Sequence, residues 1–136
     1  MPDLVSQSSH GDVDKVVVIA IENPPVNALS PGVPEGIAAG VTSAQADDSV
    51  VAIVLTGAGK TFCAGADIRE FGKMVSGERE RGEGFAPLLA LLENCAKPIV
   101  CAIHGTAFGG GLEVAMACHY RVAVPGARVG QPEVNL

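Results

Sequence analysis

From Pro98 to Cys118 the chain reads Pro-Ile-Val-Cys-Ala-Ile-His-Gly-Thr-Ala-Phe-Gly-Gly-Gly-Leu-Glu-Val-Ala-Met-Ala-Cys. An apolar, partly β-branched run (Ile99, Val100, Ile103) predicts a buried strand, the glycines from Gly105 to Gly111 predict a turn, and the residues beyond predict a helix. A strand that feeds a helix N-terminus delivers backbone N–H groups that lack intrahelical partners. Glycine there lets a ligand atom approach the backbone, and the helix dipole favours negative charge on that atom. Such a turn suits a developing oxyanion. Glu113 follows Gly110 by about one helical turn, which puts its carboxylate on the face of the exposed amides.

Two other readings compete. The stretch is about as long as a bilayer span of roughly 20 residues; the four glycines at 105, 109, 110 and 111, with His104 and Glu113, count against that. Alternatively the glycines only permit tight packing and Glu113 faces solvent. A second motif weighs against this. It runs from Thr56 to Arg69, Thr-Gly-Ala-Gly-Lys-Thr-Phe-Cys-Ala-Gly-Ala-Asp-Ile-Arg, directly after the apolar run Val50 to Leu55. Gly59-Lys60-Thr61 is not a phosphate loop, because Val54 stands where that motif needs glycine, and Phe62 breaks a dinucleotide fingerprint. What remains is Cys63-Ala-Gly-Ala-Asp67, small residues that again admit a ligand to the backbone, with Asp67 set to cap a helix through Ile68 and Phe71.

Phe62 to Ile68, Gly105 to Glu113 and Gly130-Gln-Pro-Glu-Val134 together resemble the successive signatures of the enoyl-CoA hydratase/isomerase (crotonase) family. Asn23-Pro-Pro-Val-Asn-Ala-Leu-Ser30 further resembles the N-terminal hydratase part of multifunctional fatty-acid oxidation proteins. The resemblance extends from about Val16 to Leu136. It implies the N-terminal portion of a crotonase fold, a repeated β-β-α spiral, with further chain expected after Gln-Pro-Glu.

Composition sets outer bounds. A chain of 136 residues makes one domain at most, and 48% hydrophobic against 18% charged content makes it globular. Only 4% of residues are aromatic, none is Trp, and the net charge is −6, which argues against a nucleic-acid partner. An anionic ligand would need local positive charge, which Lys60, Arg69 and Lys73 could supply if they are not simply a solvated face. Cys63, Cys95, Cys101 and Cys118 form no metal-ligand pattern, and without a positively charged apolar leader they are expected to be reduced thiols of an intracellular protein. His10, His104 and His119 are expected to be structural.

Taken in order, residues 1–14 are polar and aperiodic and are expected to be a disordered terminus, with the partial domain covering 15–136. Val16 to Ile21 predicts a buried strand, broken by Asn23-Pro24-Pro25. Ser30-Pro31 resembles a cap and first-turn proline for a helix to about Ala46, whose Val33, Ile37, Val41 and Ala44 share one face, although Gly32, Pro34, Gly36 and Gly40 are poor helix formers. A short helix near Ile68 to Met74, a charged connection from Ser76 to Gly84, a helix from Pro87 to Cys95, a strand from Tyr120 to Val124 and an extended piece from Arg128 to Gly130 follow. Alternating strands and helices predict an α/β layer with largely parallel pairing.

The resemblance also implies chemistry. The amides of Ala66 and Gly110 would hold a thioester carbonyl, Glu113 and Glu133 would share acid and base work in hydrating a 2-enoyl-CoA, and Ala64, Asp67 and Ile68 would contact coenzyme A. No cofactor is implied beyond coenzyme A as part of the acyl-CoA substrate. The alternatives are a Δ3-Δ2 enoyl-CoA isomerase and a non-catalytic acyl-CoA-binding fragment. A complete protein of this kind is expected to be a homo-oligomer, a trimer, or part of a multifunctional protein. It would have no membrane span and would lie in a bacterial cytoplasm, a peroxisome or a mitochondrion.

Overall fold

The β-branched run that begins at Val16 becomes β2 (Lys15–Ile21), with Val17, Ile19 and Ile21 buried on one face in the period-2 alternation of a strand. In a computed structural model that describes residues 3–65 and 85–131, this strand lies inside a five-stranded sheet. Its neighbours are β1 (Val5–His10), antiparallel, and β3 (Val50–Gly57), parallel; β4 (Ile99–Ile103) and β6 (Tyr120–Ala123) continue the sheet in parallel. The order is β1-β2-β3-β4-β6. Register aligns Ile19 with Leu55 and Leu55 with Cys101, and all three side chains are fully buried. Each such aliphatic side chain stabilises the fold by about 1.5–3 kcal/mol.

Three helices among the described residues complete the core. Helix α1 (Val33–Ala46) buries Val33, Ile37, Val41 and Ala44 against β1, β2 and β3. Helix α2 (Phe85–Glu93) buries Leu88 and Leu92 and packs on both α1 and α3 (Gly110–Ala117). Two short strands, β5 (Thr106–Phe108) and β7 (Arg128–Gly130), pair in parallel as a separate ribbon. Among the described residues no helix is long and apolar enough to cross a membrane. The α/β class with largely parallel pairing is as the sequence predicts.

Two local expectations change. Residues 1–14 were expected to be disordered, yet Val5 to His10 pairs along its whole length with β2, from Val5 opposite Ile21 to His10 opposite Val16. Backbone hydrogen bonds carry that pairing, so a polar Ser-rich sequence serves, with its outer residues exposed. Nor does Ser30 cap α1. Its Oγ accepts from Asn23 Nδ2 at 2.9 Å, and the cap passes to Gly32, whose N–H donates to the Glu35 carboxylate at 2.8 Å. Gly36 and Gly40, poor helix formers, let β1 come close: a Cβ on Gly36 would lie 2.8 Å from Val5 Cγ2, and one on Gly40 3.1 Å from Gln7 Nε2. The strand expected from Tyr120 is present as β6, exposed throughout with Tyr120 at 65%, and among the described residues β4 is its one sheet neighbour. The short helix near Ile68 and the charged segment to Gly84 lie outside the described residues.

Candidate functional site

β5 is the strand that brings the motifs together. On one edge it pairs with β7, Thr106 opposite Arg128, Ala107 opposite Val129 and Phe108 opposite Gly130. On the other it bridges Cys63: the Cys63 N–H donates to the Thr106 carbonyl at 3.0 Å and the Phe108 N–H to the Cys63 carbonyl at 3.1 Å. The loop after β3, the Gly-rich turn and the segment leading to Gln131 therefore meet on a three-residue strand.

That strand runs straight into the turn. Gly109 has φ 55 and ψ −120, a backbone state that only glycine adopts at ease. Its N–H donates to the Gly130 carbonyl at 2.9 Å, and its carbonyl accepts from Glu113 N at 3.0 Å and from Gln131 Nε2 at 3.3 Å. The next amide, that of Gly110, finds no acceptor among the described residues. A Cβ placed on Gly110 would meet Leu29 Cδ1 at 2.9 Å and Phe85 Cζ at 3.6 Å, so the open N–H sits beside an apolar wall. Gly111 has a different task. A Cβ there would strike the Cys63 carbonyl oxygen and lie 2.9 Å from Cys63 Sγ. Glu113 stands one turn into α3, half-buried, and its carboxylate has no hydrogen-bond or ion-pair partner among the described residues.

The loop after β3 is held from both sides. Phe62 N–H donates to the His104 carbonyl at 2.8 Å, and Thr61 Oγ1 accepts from Thr106 N at 2.8 Å and lies 2.7 Å from Thr106 Oγ1. From the other side comes the segment after β2: Ala64 N–H donates to the Val26 carbonyl at 3.0 Å, and Leu29 N–H to the Gly65 carbonyl at 2.8 Å. Asn27, 3% exposed and at φ 55, donates from Nδ2 to the carbonyls of Ala58 and Thr61, each at 2.9 Å, and accepts from Asn23 N at 2.9 Å. Sequence reading treats Asn27 only as part of a resemblance. Its available signal is an asparagine, the side chain that tolerates positive φ and hydrogen-bonds to nearby backbone, two residues after a Pro-Pro break.

Of the residues singled out from sequence, Gly110 and Glu113 come together on the first turn of α3, and Ala64 lies in the loop beside β5. The Ala64 amide is taken by Val26, and no described residue donates to its carbonyl. Ala66, Asp67, Ile68, Arg69, Lys73 and Glu133 lie outside the described residues. Lys60 is exposed. The histidines have backbone or local partners: His104 Nε2 lies 3.0 Å from the Gly59 carbonyl, His119 Nδ1 accepts from Ile99 N at 2.9 Å, and His10 Nε2 lies 2.9 Å from Ser8 Oγ. All four cysteines are free and buried. Burial pushes the Cys63 thiol up to about 11, against the opposing hydrogen bond from Gly65, so near neutral pH it is a packed thiol and no nucleophile.

Residues 12–136 match the family model for enoyl-CoA hydratase/isomerase. A probable enoyl-CoA hydratase of Bacillus subtilis is 44% identical over 126 residues, covering 89% of this chain and 48% of that protein. The peroxisomal fatty acid beta-oxidation multifunctional protein MFP2 of Arabidopsis thaliana is 45% identical over 127 residues, 90% of this chain and 18% of that protein. Among solved structures, an enoyl-CoA hydratase from Thermoplasma volcanium superposes with a TM-score of 0.88 at 29% identity, covering 98% of this chain and 53% of that one. The chain thus spans about half the length of the Bacillus relative and under a fifth of the plant one.

Proposed function

The chain belongs to the enoyl-CoA hydratase/isomerase family, and on that premise we propose that it carries the thioester-activating part of a 2-enoyl-CoA hydratase of fatty-acid β-oxidation. The observation that carries the reading is the Gly110 N–H at the start of α3, which has no acceptor among the described residues, with the Glu113 carboxylate one turn on. Water adds its oxygen to C3 of the enoyl group, the π pair moves towards the thioester carbonyl to give an enolate, and C2 takes a proton, with no net oxidation. The Gly110 amide, with that of Ala66, stabilises the enolate oxygen as charge develops on it. Glu113 and Glu133 divide the proton work, one drawing a proton from the water and the other supplying C2. Gln131 Nε2 donates to the Gly109 carbonyl at 3.3 Å, so the Gly130-Gln-Pro-Glu motif begins beside the same turn. Coenzyme A enters as part of the substrate, with Ala64, Asp67 and Ile68 on its side of the site. An intracellular compartment and assembly into a homo-oligomer or a multifunctional protein belong to the same proposal.

The test offers crotonyl-CoA to the chain alone and to the chain mixed with the C-terminal half of the Bacillus relative, following the loss of the conjugated thioester's absorbance. Hydration in the mixture, abolished by Glu113→Gln, supports the reading. Conversion of a 3-enoyl-CoA without hydration would instead make the site an isomerase. Absence of both reactions, with acyl-CoA still bound, would reduce it to a binding module.

A further inference from the structure

Asn27 lies far from Gly110 in sequence and bears no charge, and it is buried where the Asn23–Ser30 segment meets the loop after β3. Its Nδ2 ties the carbonyls of Ala58 and Thr61, and its Oδ1 takes the Asn23 N–H, so one amide side chain joins the Asn23–Ser30 segment to the loop after β3. Asn23 stiffens the same segment, donating from Nδ2 to the Ala28 carbonyl and to Ser30 Oγ, each at 2.9 Å. Two residues beyond Asn27, Leu29 works in both directions. Its N–H holds the Gly65 carbonyl at 2.8 Å, and its Cδ1 lies 2.9 Å from where a Cβ on Gly110 would stand. A peptide group is rigid and planar, so a hydrogen bond to its carbonyl restrains the orientation of that plane. The Gly65 peptide is therefore oriented by Leu29, and Leu29 is placed by the segment that Asn27 anchors.

We infer that Asn27 is a positioning residue for the thioester site: by bridging Asn23, Ala58 and Thr61 it fixes Leu29, and through Leu29 the orientation of the Gly65 peptide relative to the Gly110 amide. This inference rests on the proposed thioester chemistry. Donors aimed at an enolate oxygen gain most when charge has developed, so their misalignment lowers kcat and leaves KM nearly unchanged. Misplacement on the ångström scale costs up to about a hundredfold.

The test uses Asn27→Gly, which keeps the positive-φ backbone and removes the side chain, and Asn27→Asp, which keeps the acceptor for Asn23 and loses both donors. Ile37→Val, a packing loss within α1, is the control. Amide exchange in the chain alone is read at Leu29 and Ala64 against Ile53, whose N–H donates to Pro98 in the sheet. Both Asn27 variants are expected to speed exchange at Leu29 and Ala64 by about tenfold or more with Ile53 unchanged, the signature of local rather than global opening. In the complemented mixture, kcat for crotonyl-CoA is expected to fall about tenfold to a hundredfold with KM within about twofold, while Ile37→Val keeps the wild-type kcat. Unchanged exchange at Leu29 and Ala64, or a kcat loss shared by Ile37→Val, overturns the inference. If the wild-type mixture turns over no thioester, the hydratase reading falls on that result, and the exchange data alone then decide whether Asn27 sets the Gly65 peptide.

Discussion

On one edge of β5, Thr61, Phe62 and Cys63 are exposed to 8%, 0% and 0% and are tied to Thr106, Phe108 and His104; on the other, Val129 is 56% exposed and β7 is held by a three-residue ladder. Both segments bring a motif to the same Gly-rich turn, but among the described residues the first alone is also buttressed from behind, through Asn27, Val26 and Leu29. The contrast separates two demands on the proposed site. Donors to an enolate oxygen act by standing still, because their value lies in cost-free alignment at the transition state. The buried edge gives the loop through Gly65 such rigidity. The end of β7 is tied instead to the Gly109 backbone, by Gly130 and Gln131.

The largest effect should come from forcing the buried edge apart. Gly111→Ala drives a methyl into the Cys63 backbone, where no rotamer change gives relief. Overpacking of this kind outweighs the helix-propensity gain of about 1 kcal/mol, and we expect a net loss of at least about 3 kcal/mol in urea unfolding. A Gly111→Ala chain as stable as wild type would mean that Cys63 yields easily, and the contrast between the edges would fail.

Next in size is a pH effect. The Cys63 thiol is raised by burial from the ordinary 9.0 to about 11 in the folded protein. The unfolded chain therefore releases this proton at lower pH than the native state, so stability from this group is full below about 9 and is lost as pH rises towards about 11. We expect about 2 kcal/mol of alkaline destabilisation to disappear in Cys63→Ala, seen as a flatter slope of unfolding free energy against pH. Equal slopes in the two proteins would put Cys63 in a wetter setting than its full burial indicates.

The smallest effect belongs to the exposed edge. A Cβ on Gly130 meets nothing within 4 Å among the described residues, and Gly130→Ala should change stability by less than about 0.5 kcal/mol. A loss comparable to that of Gly111→Ala would show that β7 is as constrained as the buried side.

Much of this was legible in the sequence, in a pattern the two edges explain. β2, β3 and β4 are apolar, β-branched runs whose burial depends on their own composition, and their positions follow from it. β1 escaped because Val-Ser-Gln-Ser-Ser-His pairs through its backbone and carries little apolar signal. β5 escaped because Thr106 to Phe108 sits inside a Gly-rich stretch that reads as turn, and becomes a strand only when Cys63 and β7 supply edges to pair with. Gly110 and Glu113 could be paired from spacing alone, since both lie on one helix turn. Asn27 could not, because its partners Ala58 and Thr61 are 31 and 34 residues away and no local pattern encodes such a bridge.

The central claim is that the open amide at Gly110 and the carboxylate of Glu113 form one reacting centre. Its most direct measurement is the steady-state hydration of crotonyl-CoA by Glu113→Gln in the complemented mixture, with unfolding followed in parallel. The account predicts a kcat lower by at least about a hundredfold, the scale of a positioned proton-transfer group, with stability and KM nearly unchanged. A Glu113→Gln protein that hydrates crotonyl-CoA at the wild-type rate would contradict it.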